Sequence, residues 1–134
     1  MTRFTPTFMV LGMLMVVMVG DPAWGAAYEC PVIQKLNSEH IYSQQNLKQY
    51  RYMVKIDDRG KTANLSRCSF SPSQKKVTCD RYVVDKIAFD ENVKIKKFYV
   101  FRSHFDVQLF SNLRFIENNG RGTIAFGNCR IVSP

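Results

Sequence analysis

Arg102-Ser103-His104-Phe105-Asp106-Val107-Gln108-Leu109 alternates between two chemistries with a period of two. Phe105, Val107 and Leu109 fall on one side together with Ser103, and Arg102, His104, Asp106 and Gln108 fall on the other. Successive side chains of a strand point to opposite faces, so this pattern predicts a strand with one buried and one solvated face. The same signal spreads outward in both directions. Downstream, residues 113–116 and 123–132 form two more apolar runs, and Asn118-Asn119-Gly120-Arg121-Gly122 between them carries the Asn-Gly step of a hairpin turn. Upstream, residues 93–101 are apolar on both faces and follow the turn residues Asp90-Glu91-Asn92. Residues 61–70 and 76–88 are strand-like runs divided by Ser71-Pro72-Ser73-Gln74. Tyr50, Tyr52, Val54 and Ile56 alternate with Arg51, Met53 and Lys55 and end at Asp57-Asp58-Arg59-Gly60, a turn in which Gly60 takes positive φ. These runs predict an all-β chain of about seven strands, an antiparallel meander closing into a small barrel or sandwich. Val32, Ile33, Leu36, His40, Ile41 and Leu47 have a looser spacing that predicts a short N-terminal helix within residues 32–47.

Residues 1–27 read as an address. Arg3 is followed by the uncharged apolar run from Phe8 to Val19, which is shorter than the about 20 residues needed to span a bilayer as a helix. Ala23, Gly25, Ala26 and Ala27 then supply the small residues that precede signal-peptide cleavage, after Gly25 or after Ala27. The expected product is one β domain over residues 28–134, secreted or periplasmic, with no transmembrane segment. Arg3 and Asp21 leave together, so the formal net charge of +8 stays with the folded part.

Cys30, Cys68, Cys79 and Cys129 all follow the leader. An even number of cysteines in a small exported domain predicts two disulfides. Cys68 and Cys79 flank a turn and are expected to face each other across a hairpin. Cys30 and Cys129 lie near the two ends and are expected to clasp them. Zinc is disfavoured because no Cys-x2-Cys pair is present, so neither metal nor cofactor is expected.

The length fits one domain and excludes an enzyme with a separate cofactor lobe. No Gly-x-Ser-x-Gly elbow, His-Glu-x-x-His helix or phosphate-binding loop occurs. Only two histidines, His40 and His104, are available for acid–base work. On a strand, Arg102, His104 and Asp106 share a face, where Asp106 would orient His104 and Arg102 would hold an anion, as in a small hydrolase of phosphodiesters or glycans. The solvent face of an amphipathic strand has the same composition. The other candidate surface is basic. Lys75, Lys76, Arg81 and Lys86, then Lys94, Lys96, Lys97 and Arg102, interleave with Phe98, Tyr99 and Phe101, with Lys94 and Lys96 on one face and Lys97 on the other. Basic and aromatic residues together suit an anionic polymer or surface: nucleic acid, acidic glycan or lipid headgroups. Binding through Arg81, Lys86, Lys94, Lys96 and Lys97 is the leading expectation. The hydrolase is its first alternative, and a virulence-associated factor with a protein partner its second. Asn64-Leu65-Ser66 is an acceptor triplet for N-glycosylation in a eukaryotic secretory pathway. The outline of Cys30 after the leader, β strands, and Cys129 near the end resembles small exported bacterial inhibitors of lysozyme. Their Ser-Gly-x-x-Tyr type loop is absent, and the resemblance assigns no residue a role.

Overall fold

Alternation resolves into antiparallel strands in the computed structural model of the chain, which describes residues 25–134; of the segment 1–27 expected to be a leader, residues 1–24 lie outside them. Along the chain come β1 (Ala27–Leu36), the helix α1 (Gln44–Tyr50), β2 (Met53–Asp58), β3 (Ala63–Ser71), β4 (Lys76–Val83), β5 (Lys86–Asp90) and β6 (Ile95–Val100). A 3-10 turn (Phe101–Ser103) leads into β7 (Phe105–Phe110), β8 (Arg114–Asn118), β9 (Ile124–Asn128) and β10 (Arg130–Ser133). The sheet order is β4-β3-β2-β1-β9-β8-β7-β6-β5, with β10 also on β1.

The sheet curls because its two outermost strands are consecutive in the chain. Only Val84 and Asp85 separate β4 from β5, and every pairing between them and β1 is antiparallel, so β4 and β5 run in the same direction. They are two halves of one bent strand. At the bend the Val84 N–H donates to the Ala63 carbonyl of β3, and the Asp85 N–H donates to the Tyr99 carbonyl of β6. On the far side β1 plays the same part. Its first half pairs with β2 and β10, its second half with β9, and a bulge lies between Val32 and Gln34. Two strands that change partners at a bend or bulge form the corners of a half-barrel.

The inward faces hold Phe98, Phe105, Phe115, Ile56, Leu65, Leu109, Val54 and Val107, each fully buried. As expected, Phe105, Val107 and Leu109 point inward along β7. Both expected disulfides are formed: Cys30–Cys129, and Cys68–Cys79 between directly opposed residues of β3 and β4. No helix among the described residues is long and apolar enough to cross a membrane.

Three expectations need correction. The segment expected to be helical divides: its first residues, to Leu36, finish β1, and the short helix starts only at Gln44, capped by the Ser43 hydroxyl and ended by Arg51 in the left-handed region. Tyr50 and Arg51 therefore belong to the helix and its cap, and β2 begins at Met53. The run 76–88 divides at Val84–Asp85, and 123–132 divides at Cys129.

Antiparallel pairing also decides which connections share an end. The β1–β2 connection with α1, the turn 72–75, the 3-10 turn with His104, and the turn 119–123 lie at one end, here the helix end. The turns 59–62, 91–94 and 111–113 lie at the opposite end.

Candidate anion-binding site

The five expected binding residues do not gather into one patch. Lys96 is buried. It shares its face of β6 with Phe98 and Val100, and its Nζ donates to Asp58 Oδ2 at 2.5 Å. The Asp58 side chain is fully excluded from solvent, and its Oδ1 accepts the Gly60 N–H, so one carboxylate closes the 59–62 turn and holds the lysine. A lysine whose ammonium is spent inside the fold cannot serve an outer ligand. Lys94 sits before β6 at φ 55, at the opposite end from α1. Lys97 points outward, half-buried between Ala88 and Gln108 of the neighbouring strands. Arg81 and Lys86 are exposed on either side of the bend between β4 and β5.

The expected catalytic face is not formed either. Arg102 lies in the 3-10 turn and His104 caps it in the left-handed region, leaving only Asp106 on β7. Gly120 explains the departure in part. Its φ is 75, and a Cβ there would meet the His104 carbonyl oxygen at 1.8 Å, so the Asn-Gly turn packs directly on the His104 backbone. Asp106 accepts from Gln108 Nε2, the His40 ring packs edge-on against Tyr42, and neither imidazole hydrogen-bonds a carboxylate among the described residues.

What the fold does assemble lies at the helix end. The bulge after Val32 reverses the parity of β1, so Lys35, opposite Ala125, points inward just as Val32 does. Arg67 continues the inward face of Ala63 and Leu65, and Glu117 that of Phe115. The three charges meet in the open mouth of the half-barrel. Arg67 Nε donates to Glu117 Oε2 at 3.3 Å and Nη2 to Oε1 at 3.0 Å, a two-point bond, with the guanidinium 5.2 Å from the centre of the Phe105 ring. Lys35 Nζ lies 3.8 Å from the centre of the Tyr52 ring and 4.9 Å from that of Tyr42. Burial pulls the Lys35 ammonium below the usual lysine range; Glu117 opposes that shift and Arg67 adds to it. Burial likewise raises the Tyr52 phenol, helped by Tyr42 and Tyr50. The cleft measures about 160 Å³ and is lined by Lys35, Tyr52, Arg67, Ser69, Asp80 and Glu117 among others. Both Glu117 oxygens are engaged by Arg67. Lys35, resting on two aromatic faces, keeps N–H donors for an anionic group. This geometry holds charge in place.

Outside the cleft the rim is cationic. The connections at the helix end carry Lys48, Arg51, Lys75, Lys76, Arg102 and Arg121, all exposed, against one exposed carboxylate, Glu39, in the same connections. Several other carboxylates are engaged within the fold, while Asp80 lies exposed at the cleft and Glu91 exposed in the turn 91–94. Glu29 pairs with Arg130 and Asp57 with Arg59, while Asp85 and Asp90 accept backbone N–H groups.

No family model matches this chain. Neither a curated protein nor a solved structure is similar to it. Function is therefore argued from the rim and the cleft alone. Lys35, Arg67 and Glu117 are not among the residues that the sequence singles out, although strand parity marks two of them: Arg67 shares a face with Leu65 and Glu117 with Phe115.

Proposed function

We propose that this disulfide-stapled β protein is exported and acts by binding an anionic polymer or surface through the helix end of its half-barrel. The observation that carries the reading is the segregation of charge. The loops gathered at that end place Lys48, Arg51, Lys75, Lys76, Arg102 and Arg121 around a mouth in which Lys35 and Arg67 stand with Glu117 and Asp80, so the excess of positive charge lies on the rim. Charges of one sign around a low-dielectric opening raise the local concentration of the opposite sign and speed association. Export is supported by the leader-like composition of residues 1–27 and by two disulfides, which persist in oxidising compartments.

The test is salt dependence. Each neutralised phosphate releases counterions, so on duplex DNA log K falls with log salt at a slope near −0.9 per contact. Several rim contacts should give a slope of several such units, and elution from heparin should move with salt in the same sense. Binding independent of salt, or no retention at low salt, overturns the reading.

A further inference from the structure

Exposed apolar side chains accompany the cations at the helix end. Ile41, in the connection between β1 and α1, is 70% exposed, and Phe101, opening the 3-10 turn, is 56% exposed. Both stand on loops that antiparallel alternation brings to the same end as Arg51, Lys75, Lys76 and Arg102. Each is held by the backbone. Ile41 bridges Leu36, and the Phe101 N–H donates to Asp85 Oδ2 at 2.7 Å, with its ring stacked on Tyr99 at 5.9 Å. Heparin and duplex DNA have no exposed apolar or stacking face for these side chains, and a single strand would stack on the phenylalanine but leave the isoleucine unused. A bilayer gains from both, because apolar tips enter the boundary between headgroups and chains while cations stay among the phosphates.

We infer that the partner at the helix end is the surface of an anionic lipid bilayer, with Ile41 and Phe101 seated in the interface and the cationic rim against the headgroups. The inference rests on the charge reading above and narrows it to one partner. Charge complementarity selects anionic over zwitterionic lipid, at about fivefold in partitioning for each rim cation. At the opposite end Val93 is similarly exposed, at 58%, but its own turn carries Asp90 and Glu91 beside Lys94, so that turn has no excess of positive charge to draw it to such a surface.

The experiment is co-sedimentation of the oxidised protein with vesicles of phosphatidylcholine alone and of phosphatidylcholine with an equal share of phosphatidylserine, run beside heparin retention. Binding is expected to the mixed vesicles only. Ile41→Ser with Phe101→Ser should lower it at least about tenfold, the apolar area of two such side chains being at stake. Heparin retention should be unchanged by that pair, and Val93→Ser should change neither. The described residues contain no Trp, so Phe101→Trp offers a second readout: its emission should shift to the blue on mixed vesicles and stay fixed on phosphatidylcholine. Heparin retention without vesicle binding, full vesicle binding by the double variant, or emission from the Phe101→Trp variant that does not shift on mixed vesicles overturns the bilayer inference and leaves the polyanion reading standing. Failure to bind either probe overturns both.

Discussion

Replacing Lys96 by Met removes one half of an ion pair from the interior of the half-barrel. The Asp58 side chain is 0% and that of Lys96 8% exposed. Once the ammonium is gone, the carboxylate keeps the Gly60 N–H on Oδ1 but loses the cation that faced it. Breaking a buried pair from one side costs about 3–5 kcal/mol, because a charge is left without its counter-charge. A domain of this kind has about 5–15 kcal/mol in all. With a urea slope of about 1–3 kcal/mol/M, the midpoint should fall by roughly 2 M. Adding Asp58→Asn keeps an oxygen for Gly60 and removes the stranded charge, so the double variant should recover most of the loss. Lys97→Gln, one position away but pointing outward, should stay within about 0.5 kcal/mol of the parent. Urea unfolding followed by circular dichroism measures all three. Lys96→Met within about 1 kcal/mol of the parent, or a double variant no more stable than the single one, would refute the buried-pair argument.

Three further outcomes are expected. Loss of Cys30–Cys129, which spans 99 residues, should destabilise more than loss of Cys68–Cys79, which spans 11, because chain entropy gives about 4.7 kcal/mol for the long loop against about 3 for the short one; thermal melts of the paired Ser variants check the order. Burial raises the Tyr28 phenol above its usual value of 10.0, and Asp58 adds to the shift. The unfolded chain therefore gives up that proton first, and stability should fall as pH rises past about 10; phenolate absorbance should show a late component that disappears in Tyr28→Phe, and its persistence would count against the assignment. Ala26 is buried and its carbonyl accepts the Asp58 N–H at 3.0 Å, so the cleavage site that best preserves the fold follows Gly25; N-terminal sequencing of exported protein should begin at Ala26, and a start at Tyr28 would contradict this.

Much of the fold was legible because strand parity is strict. Phe105, Val107 and Leu109 on β7 face inward as their spacing required, and the hairpin geometry of Cys68 and Cys79 followed from the turn between them. β1 was misread for a physical reason. Val32, Ile33 and Leu36 stand three and four residues apart, a separation that looks helical although the backbone is extended and bulged between Val32 and Gln34. The 76–88 run gave no sign of its bend because Val84 and Asp85 break the ladder without a glycine or proline. Lys96 reads as one more surface cation of the basic run, yet it stands in step with Phe98 and Val100, and that parity is the signal for its burial. Asp58 hid in the same way: it reads as a turn residue but continues the inward face of Val54 and Ile56. The cleft of Lys35, Arg67 and Glu117 depends on the bulge and on pairing between distant strands, which local spacing does not contain.

The central claim is that positive charge acts from one end of the half-barrel. Its most direct test compares two charge-matched variants on heparin or duplex DNA at several salt concentrations. One carries Lys75, Lys76 and Arg102 replaced by Gln at the helix end; the other carries Lys61, Lys94 and Arg114 replaced by Gln at the opposite end, all six residues being exposed. Both lose the same net charge. The helix-end variant is expected to bind more weakly with a shallower salt slope, by up to about 0.9 for each phosphate contact removed, while the other stays close to the parent. Equal losses from the two variants, or a larger loss from the opposite end, would contradict the account.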